Sequence, residues 1–364
     1  MYSFDPSEEQ QMLIDAINRY ARIDLRNQAH DCDEESHLPY ELVEKGWELG
    51  YLQASVPDKY GGFGERSVVT GVLAAEEMAW GDLAGALAVM TPGLFVFPIL
   101  LAGNEEQKKE YIPEVIEAEW LPYTAAMIEP RFDFDPNDLE TIAKEDGDNY
   151  IISGEKCCVP YADQTKAMLV YANLSGETQA FILPTGLDGL VIGEREKLMG
   201  VNAYPLFKVS FDDVSVPKSN RLGGVGGHEF APILDASRTS LTAMAVGMAR
   251  AALEYACQYA KEREVFGVKV AQKQAVAFMM AEMATEIEAI RLLNWEAAWM
   301  LDNQKEDASK QAYLALTGAI DMVMNVTDRA VQILGGHGYI REHPVEMWMR
   351  NARGIAMMTG LSMV

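Results

Sequence analysis

The hydrophobic positions of this chain follow two different periods, and the change between them divides the chain into three parts. Over residues 7–120 apolar residues recur every three to four positions, as in "EEQQMLIDAINRYARIDL" and "SVVTGVLAAEEMAWGDLAGALAVM", which predicts helices. Over residues 121–220 short alternating or β-branched runs, such as "AMLVYAN" and "FKVSFDDVSV", predict strands. After "LGGVGGHEF" the helical period returns in three long segments, which are roughly residues 240–262, 272–301 and 308–334.

This order of helices, strands and helices predicts an α+β architecture. It has no alternating strand–helix–strand units, which argues against a doubly wound nucleotide-binding fold. A chain of 364 residues has room for about two to three domains, and its 49% hydrophobic content supplies a continuous core. We expect an N-terminal helical domain at 1–120, a middle β domain at 121–232 and a C-terminal helical domain at 233–364. The long, alanine-rich last helices suit bundle packing and subunit contact, so oligomerisation is expected.

The charge balance narrows the classes of partner. Lys and Arg number 30 against 55 Asp and Glu, and the net charge of −25 repels phosphate backbones, so a nucleic-acid partner is not expected. The N-terminus has no basic region followed by an apolar stretch. We therefore expect a cytoplasmic protein without membrane insertion, whose four cysteines are reduced thiols.

Three short motifs have simple structural explanations. "GGVGGH" (Gly223 to His228) lacks the Lys-Ser/Thr of a P-loop and is interpreted as an interdomain loop. "HDCDEESH" (His30 to His37) offers metal-ligand types, but no paired motif closes a coordination shell, so a solvated acidic connector without metal is expected. Cys157 and Cys158 lie in a predicted strand, where neighbouring side chains face opposite sides, which predicts two inert thiols that do not share a site.

A different kind of signal lies in the C-terminal helices and their ends. "REVFG", "AQKQ" and "QILGGHGY" occur in this order, and Arg263 supplies a guanidinium fork that matches diphosphate oxygens. The consecutive glycines Gly335 and Gly336 allow backbone to approach an anionic cofactor closely.

Together with "ELGYLQASVPDKYGGFG", "AGNEEQKKEYIP", "EKLMGV" and the N-terminal "FDPSEEQQML", these stretches resemble the acyl-CoA dehydrogenase family over nearly the whole chain. The resemblance implies an N-terminal helical domain, a middle β-barrel or β-sandwich domain and a C-terminal four-helix bundle, assembled as an oligomer. It implies FAD as cofactor, an acyl-CoA substrate and α,β-dehydrogenation, with an electron-transfer flavoprotein as a candidate partner. The residues that it assigns to a neighbouring subunit's FAD are Arg263, Phe266, Gln274, Gln332, Gly335 and Gly336.

The family's catalytic glutamate is missing from this chain. In the family this glutamate usually precedes a glycine-threonine pair, and the corresponding residue here is Thr359. Some members carry the base at a second position, where this chain has Ser237. A hydroxyl is a poor proton acceptor near neutral pH, so losing the base costs roughly 10²–10⁴ in rate. The nearest carboxylate candidate for a relocated base is Asp235.

The segments that the family places beside its own flavin ring are altered as well. The family's "TEPGxGSD" is "IEPRFDFD" here, and the strand that carries tryptophan and threonine beside the flavin is "KCCVPYA". The altered flavin-face residues are Met127, Ile128, Cys158 and Pro160.

This asymmetry leaves three hypotheses open. The chain is one half of a hetero-oligomer that completes a partner's FAD site, or a divergent flavoprotein with a relocated base, or an inactive scaffold that binds acyl-CoA without a redox role. The first predicts that the chain alone neither holds stoichiometric FAD nor oxidises an acyl-CoA.

Overall fold

The computed structural model describes residues 6–117 and 119–364. The first five residues of the predicted N-terminal domain, which include the start of the "FDPSEEQQML" segment, and Ala118 lie outside the described residues.

The first third of the chain is helical. Ser7 and Asn104 each begin a helix with a capping box, in which Gln10 and Gln107 return the hydrogen bond, as expected for a polar cap before an amphipathic stretch. A π-helical turn, Ala21–Leu25, joins the first two helices. The helices are α1 (Glu8–Tyr20), α2 (Arg26–Glu35), α3 (Tyr40–Trp47), α4 (Val68–Gly81), α5 (Leu83–Met90), α6 (Gly93–Ala102) and α7 (Glu105–Val115).

Helices α5 and α6 are the most apolar of this domain and lie almost entirely in the core. In the described part of the chain no single helix is long and apolar enough to cross a bilayer. The α5–α6 pair reaches the required length and composition only across a bend of 48°.

The middle of the chain forms a seven-stranded sheet in the order β1-β4-β2-β3-β7-β6, with β5 paired to β4. Both faces of β4 are buried: Met168 and Val170 point into the β domain's own core, whereas Leu169 and Tyr171 pack toward the helices. This strand therefore links the sheet to the helical core. The strands are β1 (Thr124–Ala126), β2 (Ile142–Asp146), β3 (Asn149–Pro160), β4 (Ala167–Leu174), β5 (Glu177–Pro184), β6 (Leu190–Arg195) and β7 (Leu206–Pro217).

The last part of the chain is a bundle of three long helices with a shorter fourth, α12 (Val345–Gly354). Its first helix starts at Ala231 and not near residue 240, because Pro232 lies in the first turn, where its missing N–H costs no hydrogen bond. The elements are α8 (Ala231–Glu262), β8 (Glu264–Val265), β9 (Val268–Lys269), α9 (Gln274–Asp302), α10 (Ala308–Leu334), α11 (Gly336–Tyr339) and α12 (Val345–Gly354).

The "HDCDEESH" stretch differs from the expected solvated connector. Most of it is the last part of α2, and Cys32 and Asp33 are buried. The Asp33 carboxylate accepts two hydrogen bonds from the Arg350 guanidinium at 3.2 and 2.6 Å, which fastens α2 to α12. Among the described residues no group of three or more His, Cys, Asp or Glu side chains has the geometry of a metal site.

Candidate active site

One end of the C-terminal bundle collects the residues that the sequence assigns to a cofactor. The chain runs up α8, down α9 and up α10, so the end of α8, the start of α9 and the end of α10 meet there. Tyr259 of α8 joins the two helix ends, since its hydroxyl contacts the Leu334 carbonyl at 3.5 Å and the Nδ1 of His337 at 2.9 Å. We call the following set the bundle end: Arg263, Phe266, Gln274, Gln332, Gly335 and Gly336.

The bundle end is open to solvent. Arg263 and Phe266 are exposed, the latter to 92%, and within the described residues the Arg263 guanidinium has no hydrogen-bond or ion-pair partner. Gly335 adopts a φ of 60°, and a Cβ added at Gly335 or Gly336 would meet no atom within 4 Å. An unpaired guanidinium beside a backbone without side chains fits an anionic ligand that approaches from outside the chain.

We call the altered flavin-face residues the β-domain face; they are Met127, Ile128, Cys158 and Pro160. Unlike the bundle end, this face has backbone groups that are hydrogen-bonded within the chain. Met127 and Ile128 are buried, and the Ile128 carbonyl accepts the Cys157 N–H at 2.9 Å. The Cys158 N–H donates to Glu196 Oε2 at 2.6 Å, and Pro160 has no N–H. These backbone groups are therefore already used within the chain and are not free to bind a ring.

A buried ion pair lies behind this face. Lys156 Nζ, fully buried in β3, donates to Glu129 Oε1 at 2.9 Å and to the Met127 carbonyl at 3.0 Å. Burial lowers the pKa of Lys156 to about 8, although Glu129 opposes that shift. Burial by itself raises the pKa of the Glu129 carboxyl, but Lys156 and the N–H groups of Glu140 and Thr141 outweigh it, so that pKa lies below its usual value. The pair fixes the loop after β1 against β3.

The two family positions for the base come together in the structure. Gly360, which follows Thr359, donates its N–H to Ser237 Oγ on α8 at 2.8 Å. One turn further along α8, Ser240 Oγ lies 2.6 Å from Ser362 Oγ. The tertiary fold therefore places Thr359 and Ser237 at one point, and neither brings a carboxylate there.

Residues 358–364, the C-terminal segment, fill the space beside this point. A Cβ added at Gly360 would lie 2.6 Å from Met127 Sδ, and one added at Gly71 of α4 would lie 2.5 Å from Val364 Cβ. Arg66 donates to the Val364 carbonyl at 3.2 and 2.5 Å, and burial lowers the pKa of its guanidinium to about 10. The segment therefore packs between α4, α8 and the loop after β1.

Asp235, the candidate for a relocated base, is held elsewhere. Its carboxylate pairs with Arg238 at 3.0 Å and accepts a short hydrogen bond from Ser309 at the start of α10. Asp235 and Ser237 are two positions apart, about 200° around the helix. The Asp235 carboxylate thus faces α10, whereas Ser237 faces the C-terminal segment.

The regular strand expected at the two neighbouring cysteines is interrupted in the structure. The pairing of β3 with β7 shifts register between Lys156 and Val159, and Cys158 has a positive φ of 54°. This β-bulge breaks the regular alternation of side chains along β3. The sequence offered no turn signal for it, since neither residue is a glycine.

Sequence reasoning also missed Glu196 as a member of the β-domain face. It occurs in "EKLMGV", a stretch that supported the resemblance without a role for its carboxylate. Only the folded chain brings Glu196, after β6, against the Cys158 N–H.

Comparison with known proteins agrees with this architecture. The acyl-CoA dehydrogenase N-terminal, middle and C-terminal domain models match residues 7–119, 124–214 and 229–364. Cyclohex-1-ene-1-carbonyl-CoA dehydrogenase of Syntrophus aciditrophicus is 33% identical, over 98% of this chain and 88% of that protein. The caffeyl-CoA reductase–Etf complex subunit CarC of Acetobacterium woodii is 34% identical, over 98% and 96%.

Among solved structures, butyryl-CoA dehydrogenase from Megasphaera elsdenii superposes with a TM-score of 0.88 at 30% identity, covering 100% of this chain and 96% of that one. The three domain models and the whole-length relatives agree with the fold. This chain therefore belongs to the acyl-CoA dehydrogenase family, FAD-binding oxidoreductases that act on acyl-CoA thioesters.

Proposed function

We propose that this chain is one subunit of a hetero-oligomeric acyl-CoA dehydrogenase-type enzyme, in which it holds the diphosphate and adenosine part of a partner's FAD. The observation that carries the proposal is the contrast between an open bundle end and a β-domain face whose backbone groups are already bonded within the chain. FAD, when bound, supplies the hydride acceptor for α,β-dehydrogenation of the thioester.

The bundle end fits a dinucleotide held mainly by another chain. Arg263 would pair with diphosphate oxygens, Gly335 and Gly336 would allow the backbone to approach them, and the exposed Phe266 ring would cover an apolar part of the ligand. Gln274 and Gln332, also exposed, would supply polar contacts. The β-domain face does not fit a flavin ring without rearrangement, because its N–H groups at Cys157 and Cys158 have partners.

The partner chain supplies the base in this proposal. Thr359 and Ser237 occupy both family positions, and a hydroxyl is not ionised near neutral pH without a second base beside it. The partner we expect is another acyl-CoA dehydrogenase-like chain that carries a glutamate at the position of Thr359. An electron-transfer flavoprotein is the proposed electron partner, supported by the similarity to a subunit of a caffeyl-CoA reductase–Etf complex.

Visible absorption and native mass test the proposal directly. The chain is purified alone and after co-expression with a glutamate-bearing relative from the same genome. Flavin that appears only in a mixed assembly supports the subunit. Stoichiometric flavin in the chain alone, with oxidation of an acyl-CoA, contradicts it and favours a divergent enzyme.

If the chain is a divergent enzyme, Asp235 is the candidate base, and Asp235→Asn tests it. Loss of turnover with an unchanged thermal midpoint supports that role, whereas turnover that is retained or falls only with stability removes it.

The scaffold alternative is supported by the C-terminal segment, because this segment fills the space beside Thr359 and Ser237. It predicts that a CoA ester binds without flavin even when the partner chain is present.

A further inference from the structure

Two tyrosine–histidine pairs hold the segment that follows the Gly335–Gly336 backbone. Tyr255 and Tyr259 are one turn apart on α8, so their side chains lie on the same face of the helix. The Tyr259 hydroxyl lies 2.9 Å from His337 Nδ1, and the Tyr255 hydroxyl lies 2.7 Å from His343 Nδ1. Each histidine of the segment therefore has one tyrosine of α8 as its hydrogen-bond partner.

The four rings also pack on one another. The His337 and His343 rings stack, with their centroids 5.4 Å apart and their planes inclined by 15°. Tyr259 contacts both imidazoles edge-on, at centroid distances of 5.8 Å. Tyr255 packs in the same way against His343 and against Trp348, which is buried on α12. The segment after the glycine pair is therefore fixed between α8 and α12.

Tyr259 holds the chain on both sides of the glycine pair. Its hydroxyl contacts the carbonyl of Leu334, which precedes Gly335, at 3.5 Å, and the ring of His337, which follows Gly336, at 2.9 Å. A hydroxyl has one proton, so both contacts are satisfied when Tyr259 donates to the carbonyl and accepts from His337 Nδ1–H. One side chain therefore fixes the two residues that flank the glycines.

This support matters because the supported residues are glycines. Glycine loses more backbone freedom on ordering than any other residue. A ligand that binds a loosely held Gly335–Gly336 backbone loses affinity by the cost of ordering it, whereas a backbone that is ordered beforehand avoids this cost.

We infer that Tyr259 and His337 are positioning residues for the partner's FAD, and that the stacking of His337 on His343 keeps them in place. Both act through the backbone of Gly335 and Gly336 and not by contact with the dinucleotide. The inference rests on the proposed function, since it assigns a role to residues that support the bundle end.

The test measures the FAD affinity of the mixed assembly, which is stripped of flavin and then titrated with FAD while flavin fluorescence is followed. Tyr259→Phe keeps the ring and removes one hydroxyl, so FAD should bind roughly 2- to 12-fold more weakly. Tyr313→Phe, at an exposed tyrosine near the start of α10, is the matched control and should leave the affinity unchanged. Tyr259→Phe should leave the thermal midpoint of the chain alone within the range of this control.

Two substitutions of His337 separate positioning from packing. His337→Asn keeps an N–H donor near the place of Nδ1–H, whereas His337→Leu removes it. His337→Asn should therefore restore most of the FAD affinity that His337→Leu loses. Equal affinity in the two variants, or a loss of affinity that only follows the thermal midpoint, would show a merely structural role and overturn the inference.

Arg263→Gln distinguishes failure of this inference from failure of the proposed function. If Arg263→Gln weakens FAD binding and Tyr259→Phe does not, the positioning role is wrong and the proposed function stands. If neither variant changes the affinity, or if the mixed assembly binds no FAD, both are overturned.

Discussion

The bundle end and the β-domain face would contact two different cofactors, a neighbouring subunit's FAD and the chain's own flavin ring, and they differ in how their polar groups are used. At the bundle end the Arg263 guanidinium is exposed and has no partner within the described residues. Gly335 and Gly336 are exposed with open space around them, although the Gly335 N–H is bonded to helix carbonyls of α10. At the β-domain face the N–H of Cys158 and the carbonyl of Met127 are bonded to Glu196 and Lys156. Polar groups that a fold leaves unpaired are available to a ligand, whereas groups that it pairs internally contribute to stability.

The largest effect, on the free energy of unfolding, is expected from breaking the Lys156–Glu129 ion pair behind the β-domain face. Lys156→Met leaves the Glu129 carboxylate buried without its cation, which should lower the free energy of unfolding by about 3–5 kcal/mol. Denaturant titration measures it. The double variant Glu129→Gln/Lys156→Met should recover much of the loss, and the exposed Lys144→Met should stay within about 0.5 kcal/mol. A cost below about 1 kcal/mol for Lys156→Met would show that the face does not depend on the pair.

The second largest effect is expected at the bundle end, on the affinity of the mixed assembly for FAD. Arg263→Gln removes a charge-assisted contact of about 1.5–3 kcal/mol, so the mixed assembly should hold FAD roughly 10- to 150-fold more weakly. Flavin retained per assembly after dialysis measures this change. Arg19→Gln, at an exposed arginine of α1, is the matched control and should have no effect. Equal retention in both variants would remove Arg263 from the site.

A smaller effect is expected where the two base positions meet. Ser237→Ala leaves the buried Gly360 N–H without an acceptor, which should cost about 1–3 kcal/mol of unfolding free energy. Thr285→Ala, which removes an exposed hydroxyl on α9, is the control and should change little. If the two variants have the same stability, the hydrogen bond does not hold the C-terminal segment.

The last effect, which is absent near neutral pH and grows only as the pH falls, is a pH dependence at the joint between the β domain and the bundle. Burial lowers the pKa of His228 to about 4 from its ordinary 6.5, so between these values the unfolded chain binds a proton that the folded chain refuses. Stability should therefore fall as pH drops from 6.5 toward 4, by up to about 1.4 kcal/mol per pH unit. Denaturant titrations across this window should show a shallower slope for His228→Gln. An unchanged slope would assign the acid sensitivity to other groups.

The sequence by itself determined the α+β order of helices and strands, because hydrophobic periodicity and turn residues are local properties. It also identified the family, since ordered motifs do not require coordinates. The same local signals placed the start of the first C-terminal helix near residue 240, whereas α8 begins at Ala231.

The tertiary structure alone decided which polar groups are free and which are paired. The Lys156–Glu129 pair, the Glu196 contact at Cys158 and the meeting of Gly360 with Ser237 join residues 27 to 123 positions apart. Hydrogen bonds between such distant segments depend on how whole elements pack, and a β-bulge depends on the register of two strands. For this reason the sequence could name the residues of the β-domain face but could not show that their backbone groups are hydrogen-bonded within the chain.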